Sequence, residues 1–246
     1  MRPFFSLFRV AGINIRVHFS FIILPALLGG YYGWQYGTEV GLRAFCLVLL
    51  VFACVIGHEL CHSLRALGFG IKVPVITLYP MGGVATMMRI PREPWQEFWI
   101  AIVGPFFNFA LAIILFIPLY LIIGKESLFA PGLESWPRMI ANVFWVNPIL
   151  GAFNLIPAFP MDGGRIFRAL LALRLDYLKA TRISVSIGRI FAILFFLSGI
   201  YFKVWMLVLI AGFIYFSASR EERQIKLEDS LMQHKERYKE INETTG

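Results

Sequence analysis

The chain has 246 residues, 58% of them hydrophobic and only 15% charged, with 24 Phe and a mean hydropathy of +0.70. A soluble domain is about 45–50% apolar and about 25% charged, so a soluble enzyme, a disordered chain and a disulfide scaffold are all disfavoured. The net charge of +8 fits loops held on the cytoplasmic side of a membrane better than a nucleic-acid surface.

Taken in chain order, Ile13–Val17 alternates apolar and polar residues and predicts a short strand. A spanning helix needs about 20 apolar residues, and the first candidate is 18–37. Arg2, Arg9 and Arg16 precede it as in a signal peptide, but no small-x-small cleavage site follows. Its end in Tyr31, Tyr32 and Trp34 suits a membrane interface. The second span, 43–67, holds the three cysteines (Cys46, Cys54, Cys61), read as buried packing thiols, and His58-Glu59-Leu60-Cys61-His62. Residues 70–90, rich in Val, Ile and Thr and punctuated by Pro74, Pro80 and Gly82-Gly83, predict short strands at the cytoplasmic face, with Ile13–Val17 as a candidate partner.

Further spans are expected at 96–123, 139–158, 183–202 and 203–219, the last two joined by a tight turn near Lys203. Residues 220–246 form a charged tail of helical character, set apart from a 1–219 core. The architecture expected is an all-α polytopic membrane protein of six transmembrane helices, with a small membrane-associated β-sheet near the cytoplasmic face. On this division one side of the membrane receives 18 Lys and Arg and the other four (Arg43, Lys125, Arg138, Lys203), with Arg189 inside a span. Both termini are therefore expected in the cytoplasm of a multi-pass cell-membrane protein.

Ionisable groups inside a span are costly and mark function by default. On a helix, positions i and i+4 share a face, so His58 and His62 can bind one ion. Glu59 then lies where it can take a proton from a water on the metal. Catalytic zinc usually has three protein ligands, so a third must come from another span at similar depth. Of the remaining histidines, His18 opens the first span as an interfacial or structural residue and His234 is in the tail. The best candidate is Asp162, within Asn154-Leu-Ile-Pro157-Ala-Phe-Pro160-Met-Asp162-Gly163-Gly164. Pro157 and Pro160 break the helix, and Gly163-Gly164 permits close backbone approach. The alternative role for Asp162 is to cap the helix that restarts at Gly163, paired with Arg165. Asn108 stands equally between satisfying a kink at Pro105 and touching the site.

HELCH and NLIPAFPMDGG, in separate spans and in this order, together resemble the site-2 protease family of intramembrane zinc metalloproteases. Gly104-Pro105-Phe-Phe-Asn108 and Pro80-Met-Gly82-Gly83 resemble it as well. The resemblance covers about residues 10–215 and implies one Zn2+ per chain on His58, His62 and Asp162, with Glu59 as general base. It also implies that Asn154, Pro157 and Pro160 shape the cleft and help hold substrate. The substrate implied is a transmembrane protein in the lipid bilayer, cut within or near its membrane segment, often to release a regulator, with no role for nucleic acid. The 27 residues after the last span have no room for a PDZ or CBS domain, so control through those is in doubt and a regulatory membrane partner stays open. The main rival is a membrane transporter or non-catalytic scaffold with a buried ion site, which leaves Glu59 and the Asp-Gly-Gly break unexplained.

Overall fold

In a computed structural model of the chain, residues 4–80, 82–89 and 91–244 are described. Arg2, Met81 within the Pro80–Gly83 motif, Ile90 at the end of the expected strand region, the last two residues of the tail and the side chain of His234 lie outside the described residues. The chain divides into two compact units. The first takes the residues up to Pro91 with Trp99–Asn154; the second takes Arg92–Phe98 and the residues from Leu155 on.

The first unit contains β1 (Phe4–Val10), β2 (Ile13–His18), α1 (Ser20–Tyr36), α2 (Thr38–Gly68), β3 (Val75–Tyr79), β4 (Gly82–Thr86), most of α3 (Pro94–Leu128) and α4 (Trp136–Asn154). The four strands form one sheet in the order β1-β2-β3-β4. β2 and β3 run parallel, while the two outer pairs are antiparallel. Parallel neighbours need a long crossover, and the α1–α2 hairpin supplies it. The alternation expected for Ile13–Val17 is present: Ile13, Ile15 and Val17 are buried, and Ile13 and Val17 pack with Ile76 and Leu78 of β3 and with Ala66 and Phe52 of α2. β1 has no such inner face. Phe5, Leu7 and Phe8 are all exposed, and the register slips between Ser6 and Phe8. His18 is a structural residue, its Nδ1 2.6 Å from Ser20 Oγ and its ring among those of Phe4, Phe19 and Tyr79.

The second unit is formed by the first turn of α3, then α5 (Asp162–Ala172), α6 (Tyr177–Tyr201) and α7 (Trp205–Thr244). Asp176 caps α6, accepting from the backbone N–H groups of Leu178 and Lys179. The tight turn expected near Lys203 is there, with Lys203 at φ 57°. α7 continues past 219 to Thr244 without a break, so the helical tail is an extension of the helix before it. Arg189, left inside a span by the charge pattern, pairs with Glu222 of α7 at 3.0 Å.

Three helices among the described residues are long and apolar enough to cross a membrane: α2, α3 and α6. The helices at the other three expected spans do not meet that standard. α1 has 17 residues and carries Pro25. α4 has 19 but includes Arg138, Asn142 and Asn147, and α7 has 15 residues before Arg220. The outer faces of the apolar helices are lined with exposed Ile113, Ile117, Leu121 and Ile122 on α3 and Ile190, Ile193 and Leu197 on α6. A surface of that kind is suited to lipid.

Candidate metal centre

His58 and His62 stand one turn apart on α2, both buried at 4% and 3% exposure. Their Nε2 atoms face each other at 3.0 Å. Two imidazoles on one tetrahedral zinc, with Zn–N of about 2.0–2.1 Å, would hold their nitrogens about 3.3 Å apart, so a small shift turns this pair into a ligand pair. The other ring nitrogens are occupied. His62 Nδ1 lies 2.6 Å from the backbone oxygen of Ile100, and His58 Nδ1 lies 2.5 Å from Asn108 Oδ1. A carbonyl oxygen can only accept, so His62 carries its proton on Nδ1 and presents a lone pair at Nε2.

Gly104 of α3 faces the two histidines. A Cβ there would stand 2.2 Å from His62 Nε2 and 2.7 Å from His58 Nε2. The space in front of both donor atoms exists because residue 104 has no side chain. Glu59 is half-buried beside them, and its Cγ would lie 2.7 Å from a Cβ at Gly83. The base candidate thus sits against β4, the last strand of the sheet. Cys61 is a free thiol next to His62; of the three thiols expected to be buried, Cys54 is, while Cys46 and Cys61 are half-buried.

In the second unit Asp162 is the first residue of α5 and is buried. The N-cap position falls to Met161, so Asp162 stands one residue inside the helix, at its first helical position. The first turn of a helix favours a negative charge, and the position suits an ionised ligand. Residues 155–161 break the helix as expected, with Pro157 and Pro160 in the non-helical stretch. Gly163 is required there: a Cβ would come within 2.3 Å of the carbonyl oxygens of Leu155 and Ile156. Asn154 ends α4 and closes the first unit.

A buried ionic cluster fixes the frame around α5. Arg168 donates from Nε to Glu97 Oε1 at 3.0 Å and from Nη1 to Glu221 Oε1 at 2.6 Å; its Nη2 also donates to Glu97, and Tyr177 Oη donates to Glu97 Oε2 at 3.2 Å. Burial alone would lower the Arg168 pKa, but Glu97, Tyr177 and Glu221 around it together more than offset this and hold it above the usual guanidinium value. The same guanidinium lies over the Phe159 ring at 4.9 Å, which ties the Pro157–Pro160 turn to α5.

The sequence reading missed Asn147, and left Asn108 undecided and Gly104 as a motif letter. Asn147 stands in mid-span, so the rule that flagged His58 applied to it too. The Ile100 carbonyl is a backbone group with no trace in residue type.

The family model described as peptidase family M50 matches residues 45–134 and 130–198. The chain belongs to peptidase family M50. A zinc metalloprotease of Methanocaldococcus jannaschii is 38% identical over 224 residues, 90% of this chain and 61% of that protein. The solved site-2 protease from Methanocaldococcus jannaschii matches with a TM-score of 0.63 and 36% identity, covering 89% of this chain and 95% of that one. Stage IV sporulation protein FB of Bacillus subtilis is 24% identical over 219 residues, 87% of this chain and 68% of that protein. The chain spans 61% of the archaeal relative's length and 42% and 59% of relatives from Synechocystis and Mycobacterium tuberculosis. The M50 family and its site-2 likeness are those that the two motifs pointed to.

Proposed function

We propose that the chain is an intramembrane zinc metalloprotease that hydrolyses a peptide bond within or near the membrane segment of a membrane-protein substrate. The observation that carries this reading is the histidine pair, with Nε2 atoms converging at 3.0 Å against the bare face of Gly104 and both Nδ1 atoms engaged. Nitrogen donors arranged in this way suit a soft-to-borderline divalent ion. The relatives' names as zinc metalloproteases support zinc, one ion per chain.

His58, His62 and Asp162 are the proposed ligands. The support for Asp162 is its burial at the start of α5, its expected depth close to that of the histidines, and the Asp-Gly-Gly break that frees it. Zinc bound there would lower the pKa of a water towards about 7 and polarise the scissile carbonyl. Glu59 accepts that water's proton and returns it to the leaving amine. Asn154, Pro157 and Pro160 shape the approach to the ligand-bearing turn.

A helical substrate keeps its carbonyls in internal hydrogen bonds and must unwind to be cut. β4 is the last strand of its sheet and passes beside Glu59 through Gly83, so an unwound segment can add to it as a further strand. Val84→Pro removes one strand donor, and unimpaired cleavage would count against strand addition. Six spans, both termini in the cytoplasm and 1–219 as the catalytic core complete the reading, supported by the excess of Lys and Arg on one side.

The test is Glu59→Gln in the purified chain, assayed for zinc content and for cleavage of a membrane-protein substrate. Zinc is expected to stay and cleavage to be lost. A variant that still cleaves would remove Glu59 from its role, and a wild type that binds zinc without cleaving any peptide would favour the transporter or scaffold.

A further inference from the structure

Resting on the reading of His58 as a zinc ligand, we infer that Asn108 and Asn147 form a two-amide relay that fixes the His58 tautomer, and that its direction is set by a backbone carbonyl of α4. Both asparagines are fully buried, at 0% exposure. Amide orientation is fixed by partners that can play only one part. The oxygen of Val143 is such a partner, because a carbonyl only accepts. Asn147 lies one turn later on α4 and approaches that oxygen with Nδ2 at 2.8 Å. Its Nδ2 also points to Cys54 Sγ at 3.4 Å.

With Nδ2 committed, Asn147 must present Oδ1 to its neighbour. Asn108 meets that oxygen with Nδ2 at 3.0 Å, which turns its own Oδ1 towards His58 Nδ1 at 2.5 Å. His58 therefore holds its proton on Nδ1 and directs a lone pair from Nε2 towards the space before Gly104. His62 reaches the same state more directly, through the Ile100 carbonyl. If Asn108 turned over, it would offer N–H to Nδ1 and move the imidazole proton to Nε2, where it would block coordination. Asn147 prevents that turn without touching the imidazole. Both asparagines are positioning residues, and outer partners of metal-bound histidines commonly change metal affinity by about 10–100-fold.

The experiment measures zinc affinity by chelator competition and the thermal stability of the metal-free full-length chain, for wild type, Asn147→Leu, Asn108→Leu, Asn108→Asp and His58→Ala. Asn147→Leu is expected to weaken zinc by about 10-fold, although it lies one residue removed from the ligand. Asn108→Leu should weaken it at least as much. Asn108→Asp keeps an oxygen facing Nδ1 but buries a charge, so it should be the less stable of the two Asn108 variants and yet bind zinc more tightly. A purely structural role would make affinity follow stability. Wild-type affinity in Asn147→Leu, or equal loss in Asn108→Asp and Asn108→Leu, overturns the relay. Failure of the metal reading looks different: wild type binds no zinc, or His58→Ala binds it as well as wild type does.

Discussion

Gly104→Ala sets two physical effects against each other. In an ordinary helix interior this change stabilises by about 1 kcal/mol, because alanine is the better helix former. At position 104 the added methyl would stand 2.2 Å from His62 Nε2 and 2.7 Å from His58 Nε2. Comfortable separations are about 3.5–4.0 Å, so the rings must retreat by about 1 Å or more. Neither ring is free to swing, since their Nδ1 atoms are held by Ile100 and Asn108. Giving up those bonds costs about 0.5–1.5 kcal/mol each, and overpacking of this kind costs about 1–3 kcal/mol in total. The expected result is a net loss of stability instead of a gain. A donor moved by an ångström from a bond of about 2.0–2.1 Å no longer coordinates, so zinc affinity should fall by about 100-fold or more. Zinc content, thermal unfolding of the metal-free chain and cleavage would be measured side by side. An alanine variant that is more stable than wild type and keeps its zinc would refute the placement of Gly104 before the two histidines.

Gly163→Ala brings a methyl within 2.3 Å of two backbone oxygens; backbone cannot rotate away as a side chain can, so a loss above about 3 kcal/mol in chemical denaturation is expected. Arg168→Met leaves Glu97 buried without its counter-ion and should cost about 3–5 kcal/mol, whereas Glu97→Gln leaves Arg168 its pairing with Glu221 and should cost less. The double variant should cost less than the sum, which a double-mutant cycle reads. Glu222 is held below the usual carboxylate range, chiefly by its hydrogen bond to Lys226 and also by Arg189. A depressed folded pKa contributes stability above the unfolded value and loses it as pH falls through the folded one. Glu222→Gln should therefore lower stability by under about 1 kcal/mol at neutral pH and converge with wild type in acid.

The parts of the fold legible in the sequence are those where one periodicity rules. His58 and His62 announce a shared helix face by their spacing, and Ile13, Ile15 and Val17 announce an inner strand face by alternation. β1 is not legible because Phe4, Phe5, Leu7 and Phe8 are apolar on both sides of the strand and follow no period. The restart of a helix at Gly163 was legible from the Pro157–Gly164 break, and α5 opens one residue earlier, at Asp162. The continuity of α7 was masked by the composition change at Arg220: charged residues alter what surrounds a helix, not whether its backbone continues. Within the site, residue types gave the candidate ligands and the candidate base, while the Ile100 carbonyl and the bare face of Gly104 became visible only in three dimensions.

The central claim is that two histidines of α2 and the aspartate opening α5 hold one metal ion. The most direct measurement is metal content per chain, by mass spectrometry, for purified wild type beside His58→Ala and Asp162→Ala. About one zinc in wild type, lost or greatly weakened in both variants, is the result the account predicts. Full zinc in Asp162→Ala would remove the aspartate from the site, and no zinc in wild type after the metal is supplied would contradict the claim as a whole.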